Sequence, residues 1–349
     1  MKLFTCGNCG NTLYFENVRC EQCGYRVGFL PSGNQLIALV SDGDAFLNAG
    51  TQGDRYAYCA NGAHAACNWL VPESAGPGAF CVACTHNETV PPLNNEENVR
   101  LWQVMERAKK RLFYSLLKLE LPLGKGAQGD VSSLRFRFLV DEPTEGGSVM
   151  TGHDDGVITI ALVEADDAER ERRRTNMGEP YRTLLGHFRH EIGHYYWDAL
   201  VDTGEYLEPF RKLFGDDRED YGQALERHYA NGAPPDWPQH FISAYATSHP
   251  WEDFAETWAH YLHMVDAVDT ALASRMGAET PSGMEIDIHF DPYRTTDFTP
   301  VVQNWIPLSL LLNDLNRAIG HADAYPFVLS PTVQAKLSFI HALVHGQSV

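Results

Sequence analysis

The residues with the most chemistry to offer are His190-Glu191-Ile192-Gly193-His194. On a helix, side chains four apart lie one above the other, so His190 and His194 present two imidazoles to one point in space. That is what a single Zn²⁺ requires of two ligands, and Glu191 is placed beside the ion, where it can take a proton from zinc-bound water. Two histidines on a helix for packing or solvent exposure would read the same over five residues. The second segment, Tyr245 to His263 (YATSHPWEDFAETWAHYLH), favours the metal. A zinc hydrolase of this kind needs a third protein ligand and leaves the fourth position to water. Pro250 marks a helix start, with Glu252 and Glu256 one turn apart on one face. Glu252 reads as the third zinc ligand. Glu256 reads as a carboxylate that accepts a hydrogen bond from the non-coordinating nitrogen of His190 or His194. Acidic residues in a first helical turn also complement the dipole, and Asp253 is expected to do only that.

His190-Glu191-x-x-His194 followed by Tyr245-x6-Glu252-x3-Glu256 resembles the gluzincin pattern, most closely that of the anthrax lethal factor catalytic domain. The wider chain, through CNWLVP, HDDGVITI and DAYPFVLSP, resembles a family of bacterial zinc-binding metallopeptidases that carry an N-terminal zinc-ribbon region. The resemblance implies a zincin-like fold, with Glu252 on zinc, Glu256 bracing a ligand histidine and Tyr245 donating to the oxyanion. A core tyrosine is the alternative for Tyr245. It also implies that a strand preceding the zinc helix edges the cleft and pairs with an extended substrate, a general mode of peptide capture.

All eight cysteines fall within the first 84 residues. Cys6-x2-Cys9 and Cys20-x2-Cys23, each on a glycine-rich turn, suit a tetrahedral structural zinc. Cys59, Cys67, Cys81 and Cys84 form a looser set for a second structural zinc, with His64 and His86 as possible substitutes. Closed four-sulfur sites leave no open coordination position, so neither is given any chemistry. Disulfides are the competing explanation. The start MKLFTCGNCG lacks the apolar run of a secretory signal, so a reducing cytoplasm and bound metal are favoured. No apolar stretch approaches the length that spans a bilayer.

The elements that must hold these residues follow from periodicity. The polar segment Thr85–Asn95, with Pro91-Pro92, divides a zinc-ribbon region over residues 1–95 from a metallopeptidase domain over residues 96–349, giving an α+β chain. Glu96–Leu119 reads as a long amphipathic helix whose basic middle, Arg107 to Arg111, is expected to be a solvated face. Leu134–Val140 and Val157–Leu162 form a strand block. Ala168–Arg174 reads as a charged surface helix, and Glu179–Leu200 carries the zinc-binding pair. Helical segments follow near Tyr206–Phe214, Arg218–Tyr229, Pro250–Met276, Ile306–Ile319 and Thr332–Val344. His187, His260 and His263 read as structural, and His249 as structural or lining the cleft. Gly193 costs a helix about 1 kcal/mol relative to alanine, so it is expected to permit close packing against a neighbour.

The formal charge is −19, and eight thiolates with three Zn²⁺ make it −21. Such a chain is repelled by phosphate backbones unless a local basic patch overrides the field. Residues 1–95 offer only Lys2, Arg19, Arg26 and Arg55 against seven acidic side chains. No nucleic-acid partner is expected, and the ribbons are read as scaffold or protein-docking surface. The expected activity is hydrolysis of a peptide or protein substrate. Zinc-bound water is activated by Glu191, and Tyr245 with zinc stabilises the oxyanion, using one catalytic and two structural Zn²⁺. An inactive zinc-ribbon adaptor, or a zinc amidohydrolase acting on a non-peptide substrate, are the alternatives. The presence of both Glu191 and Tyr245 speaks against the adaptor.

Overall fold

Glycine decides the first turns of the chain. In the computed structural model, Gly10 and Gly24 each follow a Cys-x2-Cys pair with φ of 75°, a left-handed conformation that costs glycine little. Their amides close the turns on Cys6 and Cys20 carbonyls at 2.9 and 2.8 Å. The structure describes residues 3–51, 53–124, 133–141, 149, 151–177, 183–202 and 204–348. Glu179 and Pro180, at the expected start of the zinc-binding helix, lie outside them, as does Lys2.

Contacts divide the chain into two units, one comprising Met1–Glu120, Leu134–Gly152 and Val157–Arg172, the other Leu121–Ser133, His153–Gly156 and Arg173–Val349. In the first, β1 (Phe4–Thr5) and β2 (Thr12–Leu13) form a two-stranded ribbon. An antiparallel sheet follows in sequential order: β3 (Arg26–Leu30), β4 (Gln35–Asp42), β5 (Ala45–Asn48), β6 (Arg55–Tyr58) and β7 (Leu70–Pro72). After β8 (Asn87–Thr89) comes the helix α1 (Glu96–Lys118), capped by the Asn95 side chain. Beyond it lie β9 (Arg135–Leu139) and β11 (Val157–Ala161), while β10 (Gly152–Asp154) and α2 (Asp167–Met177) each have residues in both units. Strand β9 is an inner strand, parallel to β8 on one side and β11 on the other, so it does not supply an edge for a substrate. Its alternating sequence sorts as expected. Phe136 and Phe138 are buried, while Arg135 pairs with Glu88 at 2.9 Å.

A region as small and glycine-rich as residues 1–95 can bury little apolar surface by itself, and its core draws on α1. Phe15 and Phe29 lie 4.9 Å apart, Phe29 and Trp69 4.8 Å apart, and Tyr114 from α1 packs 5.7 Å from Phe15. The basic middle of α1 is only partly the solvated face its charges suggest. Arg107 is exposed, but Lys109 and Lys110 are buried. Both amines converge on the buried Glu106 carboxylate, at 2.7 and 2.5 Å. A run of cations looks solvated in sequence because nothing in its spacing names the distant groups that neutralise it.

The second unit is helical: α3 (Leu184–Leu200), α4 (Leu207–Phe214), α5 (Tyr221–Asn231), α6 (Pro250–Ala273), a hairpin of β12 (Ala278–Glu279) and β13 (Glu285–Ile286), α7 (Thr299–Ala318) and α8 (Pro331–Val344). Thr183 caps α3 by accepting from the Gly186 amide at 2.9 Å. His249 caps α6 by accepting from the Trp251 amide at 3.1 Å, with Pro250 in the first turn as expected. Helix α7 starts seven residues before the expected Ile306. It carries Pro307 in its interior, and a proline there reads in sequence as a helix start. Among the described residues, no helix is long and apolar enough to cross a membrane.

Helix α6 is buried on almost every face, including Phe254, Trp258, Leu262 and Val265, and packs against α3, α7 and α8. Its Asp253 does more than complement the dipole. The carboxylate is fully buried, held 2.6 Å from the Lys336 amine of α8. Burial pushes the Asp253 carboxyl up to about 7 despite that partner. Losing one member of a buried ion pair strands the other without water, at about 3–5 kcal/mol. Lys336→Met is therefore expected to lower the unfolding free energy by about 3–5 kcal/mol in denaturant titration. The double variant Asp253→Asn/Lys336→Met is expected to recover most of it, and a single variant as stable as the parent contradicts the account.

Candidate metal centre

Whether two histidines and a distant glutamate can meet depends on how closely α3 and α6 approach. They cross where Gly193 faces Ala255. A methyl group built on Gly193 would lie 2.9 Å from the Ala255 Cα and 3.2 Å from its carbonyl oxygen. Only a residue without a side chain allows that backbone contact, as expected of Gly193. His190, one turn before Gly193, and His194, the residue after it, face Glu252, which lies one turn before Ala255 on α6.

The three donor atoms form a small triangle. His190 Nε2 and His194 Nε2 are 3.1 Å apart, and Glu252 Oε2 lies 3.0 Å from the first and 3.4 Å from the second. Donors about 2.0–2.2 Å from a tetrahedral zinc are separated by about 3.3–3.5 Å, so the triangle fits such an ion. The electrostatics fit as well. Glu252 Oε2 is buried and no hydrogen bond of the protein satisfies it. Burial opposes its charge, yet the imidazoles beside it hold the Glu252 carboxyl well below the usual carboxylate range. A cation placed among the three atoms satisfies all of them, which the protein's own hydrogen bonds do not.

The surrounding groups fix the donors in place. His190 Nδ1 is 2.7 Å from Glu256 Oε1, while Ser243 donates to Glu256 Oε2 at 2.6 Å. Glu256 thus lies within hydrogen-bond distance of a ring nitrogen of His190, where the resemblance expects it. Trp251 lies against His194 with ring centroids 3.8 Å apart. Tyr221, in the first turn of α5, donates from its hydroxyl to Glu252 Oε1 at 2.6 Å, leaving Oε2 turned to the histidines. The spacing gave no sign of Tyr221, because it acts across 31 residues of sequence. Tyr245 sits in a turn before α6 with its ring 5.9 Å from that of His190. Glu191 is buried and its carboxyl is raised by that burial. A carboxylate so raised is a better proton acceptor than one in water.

The other histidines are structural. The His249 ring caps α6, and its second nitrogen lies 3.1 Å from the Glu219 carbonyl. His260 bonds the Tyr325 hydroxyl at 2.7 Å, and His263 bonds the Arg189 guanidinium at 2.7 Å. His187 is half-buried on α3. His153, the first residue of HDDGVITI, to which no site role was given, stacks 6.5 Å from His194, and burial pushes its imidazole down to about 4.

The cysteines form two sets, Cys6, Cys9, Cys20 and Cys23, and Cys59, Cys67, Cys81 and Cys84. All eight are free thiols. Cys6 and Cys23 sulfurs are 3.7 Å apart, Cys9 and Cys20 3.6 Å, and Cys67 and Cys81 3.8 Å. Four thiolates about 2.3 Å from a tetrahedral zinc stand about 3.8 Å from one another. His64 and His86 belong to neither set, and His86 instead bonds the Leu134 carbonyl at 2.7 Å. The second set is completed from α1, where the Lys110 amine donates to Cys84 Sγ at 3.1 Å. Burial pushes the Cys67 and Cys81 thiols well up, so a metal ion is what would bring all four to the thiolate form.

Paired cysteine knuckles ahead of a helical domain with a two-histidine, one-glutamate donor set define a zinc-ribbon metallopeptidase. A family model described as "Putative zinc-binding metallo-peptidase" matches residues 98–343, and a zinc-ribbon domain model matches residues 3–95. The chain belongs to that metallopeptidase family. It is similar to the uncharacterized proteins Rv2568c of Mycobacterium tuberculosis and Mb2598c of Mycobacterium bovis. Each is 43% identical over 345 residues, covering 99% of this chain and 95% of the relative. No solved structure matches the chain.

The helix contact makes a direct test. Gly193→Ala raises helix propensity by about 1 kcal/mol, but overpacking costs about 1–3 kcal/mol. The variant is expected to melt below the parent and to lose zinc to a chelator faster. A higher melting temperature with unchanged zinc release would show that the α3–α6 contact does not set the donor geometry.

Proposed function

We propose that the chain is a zinc-dependent peptidase of the gluzincin type, with a zincin-like domain over residues 96–349 behind a cytoplasmic zinc-ribbon region over residues 1–95. The observation that carries this reading is the triangle of His190 Nε2, His194 Nε2 and Glu252 Oε2, with sides of 3.0–3.4 Å, three donors that would leave the fourth position of a tetrahedral ion to water. Bound zinc supplies Lewis acidity, lowering the pKa of a coordinated water from near 16 to about 7.

The chain's own residues do the rest. His190, His194 and Glu252 hold the ion, with Glu256, Ser243 and Tyr221 fixing the orientation of these ligands. Glu191 takes the proton of the attacking water and passes it to the leaving amine. The half-buried Tyr245 hydroxyl stays protonated, because desolvation raises it well above its ordinary value, and a protonated phenol can donate to the oxyanion that forms at the scissile carbonyl. The two four-cysteine sets hold structural zinc, which supplies folding free energy that a small ribbon region cannot gain from apolar burial. The substrate is a peptide or protein, and the ribbon surface is available for docking one.

Metal analysis of the full chain is expected to return about three zinc per molecule, one of them lost first to a chelator. Glu191→Gln is expected to keep that stoichiometry while hydrolysis of a denatured-proteome peptide library falls by about a thousandfold or more. Parent-level cleavage by this variant, or the full zinc content of the parent retained after replacing both His190 and His194, rejects the reading. Tyr245→Phe is expected to lower kcat with KM and zinc content little changed, as for an interaction made mainly in the transition state.

A further inference from the structure

The first unit contains a second site, independent of the peptidase reading. A cavity of 610 Å³ opens between the ribbon region and α1, lined by Arg19, Arg26 and Arg107, with Tyr58 and Asn68 in its wall and Lys110 among its lining residues. That is the size of a small-ligand pocket. In a chain with 46 carboxylates against 27 lysines and arginines, cations are expected to find acidic partners. Here three do not. Glu16 is the only acidic residue lining the cavity, and it is engaged by Arg111 at 2.6 Å. Among the described residues, no ion pair joins Arg19, Arg26 or Arg107 to a carboxylate.

The backbone makes the arrangement costly. Arg19 and Arg26 form an antiparallel bridge, so their side chains leave directly opposite positions on the same face, where like charges repel. Arg26 is further held by aromatic rings, its guanidinium carbon 5.4 Å from the centroids of both Phe46 and Tyr58. Guanidinium groups gathered without carboxylates are complementary to oxyanions, which they bind bidentately.

We propose that this cavity binds a small molecule carrying a pyrophosphate-type polyanion. Three free guanidinium groups match an anion of two to three charges. The acidic field of the rest of the chain disfavours an extended polyanion, which would run off the patch onto repelling surface. A compact ligand confined to the cavity meets Arg19, Arg26 and Arg107 with one carboxylate in the lining, Glu16, already paired with Arg111.

The test uses the full-length, zinc-loaded protein with inorganic pyrophosphate as the probe, in excess Mg²⁺ so that the probe does not strip zinc. Calorimetry is expected to give a dissociation constant below about 1 mM, weakening as salt rises from 50 to 200 mM. Arg19→Gln is expected to weaken binding about tenfold or more, with unchanged zinc content and a ligand-free melting temperature no lower than the parent's, because it relieves the repulsion with Arg26. Arg107→Gln, on the exposed face of α1, provides a second variant whose folding is not at issue and is expected to weaken binding likewise. Arg172→Gln on α2 serves as the charge-matched control and is expected to bind as the parent does. No binding at 10 mM probe, or equal binding by an Arg19→Gln/Arg26→Gln/Arg107→Gln variant, overturns the site. Tighter binding of an oligoglutamate peptide than of pyrophosphate, lost in the same variants, overturns the assignment to a small molecule.

Discussion

Everything the second unit offers chemically depends on the backbone of α3 touching the backbone of α6. The contact at Gly193 and Ala255 leaves no room for even one extra carbon, and a helix pair at that distance brings side chains one turn away into reach of each other. A wider crossing would separate Glu252 from His190 and His194 by more than one ion can bridge. The glycine makes α3 locally less stable as a helix, and the packing of Phe188, Ile192 and Tyr196 around it offsets that cost. Helix α6 then serves as both wall and ligand carrier. It is buried along its length, so its polar residues occupy positions chosen for a partner: Glu252 and Glu256 for the histidines, Asp253 for Lys336, and His260 for Tyr325.

In the first unit the equivalent constraint is charge. A four-thiolate zinc site carries two net negative charges, and burying it is costly unless a cation is near. Lys110 meets that need directly at Cys84, and Glu106 balances Lys110 and Lys109 in turn. This chain of charges explains why α1 belongs with the ribbon strands by contact although it lies beyond the polar segment Thr85–Asn95. The helix brings Tyr114 to the aromatic core and an ammonium group to the sulfurs, and a ribbon region without it would lack both.

Local signals were legible in the sequence and distant partners were not. Spacing alone located the two-histidine helix, both cysteine sets, the start of α6 at Pro250 and the reason for Gly193. Helix ends followed capping residues more closely than apolar periodicity did: α5 begins at Tyr221, after the Asp220 side chain caps it, where the pattern suggested Arg218. Tyr221 as a partner of Glu252, Lys110 as a partner of Cys84 and Lys336 as a partner of Asp253 all involve separations of 26 residues or more. No periodicity encodes such pairs. The basic run on α1 shows the consequence, since the charges that look most solvated in sequence include two of the most deeply buried amines in the fold.

The three donor clusters use one physical device for two ends. Each brings ligand atoms within 4.8 Å of one another, closer than like charges or facing lone pairs rest without a cation among them. Four sulfurs leave a tetrahedral ion no vacancy, so such a cluster can only stabilise a fold. Two imidazoles and one carboxylate would leave a tetrahedral ion one further position, and the same unit holds a buried carboxyl at Glu191 and a half-buried phenol at Tyr245, both shifted up by desolvation. The number of protein donors, rather than the kind of metal, separates a closed site from one that can take a further ligand, and in this chain the two arrangements belong to different units.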